Sequence, residues 1–189
     1  MTTPPSPTTT TGPQSVYGMF IGMLDQAATQ RMGSAIATAC AGQVKEVHLL
    51  FQSAGGMIGE GVALYNLFLT LPFDLVLYNV GTVSSIAVIA YLGAKRRRTS
   101  AYATFMIHRT QTTTQAANTQ AIKSFAESAI LFDKNTESIL RKHITMPDDK
   151  WSHFNHNDLW FSAEDAVKFG VAQEIAEFAP PPGTQLFYI

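Results

Sequence analysis

Short apolar runs alternate along the chain with longer amphipathic ones. Residues 16–21 predict a first strand. Asp25 then stands where an N-cap is needed, before a helix with Ala28, Met32, Ala35, Ile36 and Ala39 on one face, closed by Gly42. Residues 47–51 are almost continuously apolar, the pattern of a strand buried on both faces. A glycine-rich turn follows, then a helix over about 59–71 that Pro72 ends. Residues 75–78 predict the next strand, which runs into Gly81.

A helix over 85–92 is apolar nearly all round, which predicts deep burial. The run 95–98 is basic and predicts a solvated turn before a strand over 102–107. Ile122, Phe125, Ala126, Ala129, Phe132, Ile139 and Leu140 recur at helical spacing and give a long amphipathic helix over 117–143, stopped by Pro147. Ser162 caps a short helix, 171–175 read as a last strand, and prolines 180–182 lead into an apolar tail, 186–189. Strands alternating with helices define an α/β fold with buried strands.

Composition narrows the picture. With 189 residues, 46% of them hydrophobic and 14% charged, the chain can bury a core of one domain. A net charge of −1 gives no electrostatic reason to expect nucleic acid or an anionic membrane as partner. Cys40 is the sole cysteine, so no intrachain disulfide or cysteine metal cluster is expected, and a reducing cytoplasm is the default location. Residues 1–14, rich in Thr and Pro, read as a flexible leader without the marks of a signal peptide. The apolar stretch 62–94 is interrupted by Asn66, Pro72, Asp74 and Asn79, which favours buried elements over a membrane span. So much apolar surface in a small domain also points to oligomerisation.

Four segments carry candidate chemistry. Ser85 stands at a helix start, where free N–H groups and the helix dipole favour a developing anion; local sequence alone favours the plainer reading of Ser84 and Ser85 as an N-cap and a small packing residue. His108 follows an apolar run that carries it to a strand end, a place for a general base or for a plain surface histidine. Gly55-Gly56 lets backbone approach an acyl carbonyl, or simply makes a strand-to-helix turn. Asp158 could orient the histidine or be a loop carboxylate. His48, His143, His153 and His156 show no paired metal-ligand spacing, and neither a phosphate loop nor a G-x-S-x-G elbow is present, so no metal or cofactor is implied.

In chain order these segments read Ser53-Ala-Gly-Gly56, Gly81-Thr-Val-Ser-Ser85, Met106-Ile-His108 and Asp158-Leu-Trp-Phe-Ser162-Ala-Glu-Asp-Ala166, ending in Phe169-Gly170. Over about residues 15–177 this order resembles the proteolytic subunit of the Clp protease, within the ClpP/crotonase fold. The resemblance implies a repeated β-β-α superhelix with a protruding long helix, in a catalytic domain 15–178 between the leader and a tail 179–189. It implies Ser85 as nucleophile, His108 as general base, Asp158 as orienting carboxylate, and an oxyanion hole at Gly55, Gly56 and Ile86, with Gly56 and Ile86 donating the N–H groups. It further implies a serine endopeptidase acting on peptide or unfolded protein, a homo-oligomeric ring, and an AAA+ unfoldase as candidate partner. Ala54 stands where the family has proline, Arg109 follows the histidine in place of Gln-Pro, and His156-Asn157 replaces an Asp-Arg pair associated with ring–ring contact, so ring stacking is expected to be weak. Two other expectations compete: a catalytically silent scaffold subunit with its triad out of register, and a crotonase-type acyl-CoA enzyme, which would need the paired N–H groups but not the triad.

Overall fold

The computed structural model describes residues 15–111 and 118–189. The leader 1–14 and most of the threonine-rich segment after His108 lie outside these residues. Strand β1 (Ser15–Ile21) leads to helix α1 (Gln26–Ala41), whose first turn is capped as its sequence predicts: Asp25 Oδ1 accepts from the Ala28 N–H at 2.7 Å. Strand β2 (Glu46–Gln52), helix α2 (Ile58–Leu69) and strand β3 (Asp74–Asn79) follow. A three-residue strand β4 (Thr82–Ser84) then runs directly into helix α3 (Ile86–Leu92). All seven residues of α3 are buried, in keeping with a helix that is apolar on every side.

Strands β5 (Arg96–Thr99) and β6 (Thr104–Ile107) precede the longest helix, α4 (Thr119–His143), whose one buried residue among those described is Leu140. Helix α5 (Asp148–Phe154), strand β7 (Leu159–Phe161), helix α6 (Ala163–Phe169) and strands β8 (Glu174–Ile175) and β9 (Leu186–Tyr188) complete the chain. The main sheet runs β8-β5-β3-β2-β1-β9 with every pair parallel. A second, smaller sheet runs β4-β6-β7, its β4–β6 pair parallel and its β6–β7 pair antiparallel.

The layers meet without spare room where α2 crosses α3. A Cβ on Gly61 would lie 2.4 Å from Ile86 Cγ1 and 2.8 Å from Ile86 O, so only glycine permits this approach. The aromatic rings of Phe20, Phe51, Tyr91 and Phe105 form a chain of neighbours through the core from the first strands to β6, the first pair stacked and the others tilted.

Three expectations change. The basic run is a strand, not a solvated turn: β5 pairs with β3 on one side and β8 on the other. Alternation turns Arg97 inward, where it donates to the carbonyls of Ala94 and Val171 at 2.9 Å each, while Arg96 and Arg98 face outward onto Glu46 and Glu174. Carboxylates and carbonyls thus replace the solvent that a charged run normally requires. Second, the strand expected over 102–107 starts only at Thr104, with Tyr102 98% exposed in the preceding turn. Third, the apolar stretch 62–94 turns most of its large side chains into the protein's own core, so it does not argue for an interface. Five exposed large apolar side chains lie instead on α4: Ile122, Phe125, Ile130, Leu131 and Phe132.

Candidate active site

Ser85 sits at the junction of β4 and α3 with φ 59° and ψ −133°, a left-handed backbone rare outside glycine. Such a conformation costs about 1–3 kcal/mol and persists only where the surroundings impose it. Here they do. The Ser84 N–H donates to Ser53 O at 2.9 Å and the Ser85 N–H to Met106 O at 2.7 Å, so the serine is held between its neighbouring strands. Its side chain does not cap α3. It turns instead toward His108, and Ser85 Oγ lies 2.7 Å from His108 Nε2. That is hydrogen-bond distance for a hydroxyl donating to an unprotonated imidazole nitrogen.

The glycine turn is shaped against the same point. Gly55 and Gly56 adopt φ 109° and 148°. A Cβ on Gly55 would lie 2.7 Å from Ser85 Cβ, and one on Gly56 would lie 2.3 Å from Leu24 O. The Gly55 N–H is already taken: it donates to Ser53 Oγ at 3.1 Å, while the Gly55 carbonyl accepts from the Leu24 N–H at 2.8 Å. Gly55 therefore shapes the turn and supplies no free donor. Among the described residues the N–H groups of Gly56 and Ile86 enter no hydrogen bond, the latter being the first N–H of a helix.

Gly56, Ser85, Ile86 and His108 line one cleft of about 70 Å³, closed by Ile58, Ile89, Ile107 and Leu140. An anion formed at its mouth would find two backbone donors and a serine–histidine pair, with aliphatic side chains keeping water from the rear.

Asp158 is not part of that contact. Its residue is exposed, and among the described residues His108 Nδ1 is buried with no hydrogen-bond partner. The topology nevertheless puts the two side by side. Strands β6 and β7 pair Phe105 with Phe161, Met106 with Trp160 and Ile107 with Leu159. One further step of that register sets His108 opposite Asp158, and residues facing each other across an antiparallel pair have Cβ atoms about 4.5–5.5 Å apart. Asp158 thus lies one register step beyond the last paired residues, and its residue is exposed.

The sequence reading missed Arg109 as more than a change of surface. Its guanidinium pairs with Glu137 Oε2 at 2.7 Å, donates to Asn155 and lies 4.7 Å from the Phe154 ring centre. A basic residue directly after the candidate base was the available signal. Among the described residues no group of three or more His, Cys, Asp or Glu is placed to hold a metal ion, and no helix is long and apolar enough to cross a membrane.

The proteolytic subunit 3 of the ATP-dependent Clp protease from Rhodococcus jostii is 26% identical over 170 residues, covering 86% of this chain and 83% of that protein. Proteolytic subunit 1 from Gloeobacter violaceus is 27% identical over 139 residues, covering 72% and 70%. The structure of a ClpP1 N165D mutant from Listeria monocytogenes superposes with a TM-score of 0.75 at 17% identity, covering 87% of this chain and 92% of that one, which shows the ClpP/crotonase-like fold. The family model for Clp protease matches residues 19–179, most of the chain. With fold, motif order and family model in agreement, the chain belongs to the Clp protease family.

Proposed function

We propose that this protein is a serine peptidase that cleaves peptide bonds through an acyl-enzyme at Ser85. The observation that carries the reading is the 2.7 Å contact between Ser85 Oγ and His108 Nε2, beside two unused backbone donors. Ser85 Oγ attacks the peptide carbonyl carbon while His108 Nε2 takes the hydroxyl proton. The carbonyl oxygen becomes an anion held by the N–H groups of Gly56 and Ile86. When the C–N bond breaks, His108 returns the proton to the leaving amine. Water then attacks the ester, again with His108 as base, and releases Ser85. Asp158 supplies the orienting carboxylate once it turns inward to accept the Nδ1–H, which also stabilises the imidazolium.

A silent scaffold is the second reading, and the unpartnered Nδ1 is the observation that favours it. A fluorophosphonate probe read together with turnover of a small peptide separates the two: labelling at Ser85 and turnover, both abolished by Ser85→Ala, are expected of the peptidase, whereas the scaffold would show no turnover. A crotonase-type acyl-CoA enzyme would be unaffected by the same probe.

The working form in this reading is a homo-oligomeric ring acting on peptide or unfolded protein, with an AAA+ unfoldase as candidate supplier. The support is the apolar set on α4, since a patch of exposed Ile, Leu and Phe on one helix marks an interface more often than a solvent face. Asn157, where the family carries arginine, is expected to leave ring stacking weaker than lateral packing. Sedimentation at micromolar concentration decides it: a ring is expected, a stable monomer would rule it out, and a salt-resistant double ring would refute weak stacking.

A further inference from the structure

Arg109 joins three elements that otherwise meet only loosely. Its Nη1 pairs with Glu137 of α4, its Nη2 donates to Asn155 just past α5, and its plane covers Phe154. Glu137 also accepts from Arg141 Nε at 2.7 Å, and the Arg141 guanidinium lies 4.2 Å from the Trp151 ring centre of α5. Burial opposes ionisation of Glu137, but hydrogen bonds from Arg141 and Arg109 outweigh it and hold the carboxyl below its usual range. One residue further on, the Thr110 N–H donates to Asp133 Oδ1 at 2.7 Å. The chain leaving His108 is therefore clamped to α4 twice, and α5 is clamped to both.

The consequence falls on Asp158. After Asn155 the chain closes a tight turn, with the N–H groups of His156 and Asn157 both donating to His153 O at 3.1 and 3.0 Å. Asp158 follows at once, opposite His108 in the β6–β7 register. Arg109 thus holds one end of the short segment that carries the carboxylate, from the residue next to the ring that the carboxylate must reach. Half-exposed ion pairs add little to stability, so a planar fork spanning three elements is better explained by geometry than by energy.

We propose that Arg109 is a positioning residue, whose fork onto Glu137 and Asn155 sets the approach of Asp158 to His108 Nδ1. The proposal rests on the serine-peptidase reading. It differs from direct substrate contact, which Arg109 could also make because it lines the cleft beside Ser85. A double-mutant cycle on the full chain distinguishes them, reading the rate of Ser85 labelling by a fluorophosphonate together with kcat and KM on a small peptide.

Arg109→Ala is expected to slow labelling and kcat about 10- to 100-fold, the scale of a misplaced catalytic group, with KM unchanged. In an Asp158→Ala background the same substitution is expected to change either rate less than about twofold, because nothing remains to be positioned. Arg109→Lys, which keeps the charge but not the fork, should recover only part of the loss, and Asn155→Ala should reproduce part of it. These two variants also test the contact if Arg109→Ala does not fold. An equal loss in both backgrounds, a loss confined to KM, or no loss at all would overturn the role while leaving the peptidase reading in place. Failure of the wild-type protein to label at Ser85 is a different result, and removes that reading and this role together.

Discussion

The two sides of His108 are built differently. Toward Nε2, everything is over-determined: Ser85 is pinned between strands, the glycine turn admits no Cβ, and α3 behind it is buried along its whole length. Toward Nδ1, the candidate partner stands just before a three-residue strand at the edge of a three-stranded sheet, its residue exposed and its segment tied down by exposed or half-exposed side chains. The proposed nucleophile and its anion site are properties of the hydrophobic core. The proposed orienting carboxylate is a property of elements hung on the outside, where a small rearrangement moves it without unfolding anything.

Substitutions on the two sides should therefore fail in different ways. The largest effect is expected at Ser85: Ser85→Ala should lower kcat on a small peptide by about 10³-fold or more, as loss of a covalent nucleophile does. Its thermal midpoint should hold or rise, since the left-handed backbone is no worse for alanine and no cap is lost. Wild-type turnover in that variant would end the triad assignment.

Next comes Asp158→Asn, expected to cost about 10²- to 10⁴-fold in kcat with the fold intact, because the amide favours the wrong imidazole tautomer. A loss below twofold would mean that the carboxylate never turns inward and that Ser85 and His108 work without it. Gly56→Ala tests the rigid side in the opposite manner. It should lose both activity and stability, because a Cβ there meets the backbone of Leu24 and not a movable side chain. Circular dichroism melting alongside peptide turnover would show whether the two losses travel together.

The smallest effect lies away from the site, at His143, which closes α4 against the core. Tyr65 OH lies 3.0 Å from its Nε2, and burial, with the nearby charges of Arg97 and Lys142, lowers its pKa from 6.5 to about 4. Above about pH 6.5 the ring is neutral in both folded and unfolded chains and contributes no pH dependence. Below that the unfolded chain takes up a proton that the folded one refuses until about pH 4, so stability should fall as pH drops through this window. His143→Gln should flatten that part of the melting curve. An unchanged slope would show that other groups carry the acid sensitivity.

How much of this was legible beforehand follows from which forces act locally. Helices announced by a cap and a period were readable: Asp25 and Ser162 accept the N–H bonds their positions predict, and α3 is as buried as its uniform apolarity requires. The strand β5 was not, because three consecutive arginines carry no apolar signal, and acceptors of theirs lie 50 to 76 positions away in Glu46, Val171 and Glu174. Helix α5 was hidden behind Pro147, read as the stop of one helix when it is also the N-cap of the next, with Asp148 and Asp149 in the first turn. Strands β4 and β7 are three residues each, too short for a period of two to declare itself.

At the site, the order of the four segments led to the Ser85–His108 pair and to the Gly56 and Ile86 donors. It could not show that Gly55 spends its N–H on Ser53, since both residues fit the same turn motif. Nor could it show that Asp158 stands in register yet faces outward. Register is a long-range property, and the direction of an exposed carboxylate is set by its neighbours in space.

The close crossing of α2 and α3 at Gly61 acts on the anion site as a caliper. One jaw is the Gly56 N–H, in the turn that opens α2, and the other is the Ile86 N–H, the first of α3. Gly61 lies one turn into α2 and faces Ile86 itself, so the helix contact beside the two jaws has no side chain on the α2 side. A methyl group there would be a shim: the serine and histidine would keep their contact, while the span for one carbonyl oxygen would widen by a fraction of an ångström. Gly61→Ala should therefore still label at Ser85 with a small, reactive probe, yet lose turnover on peptides.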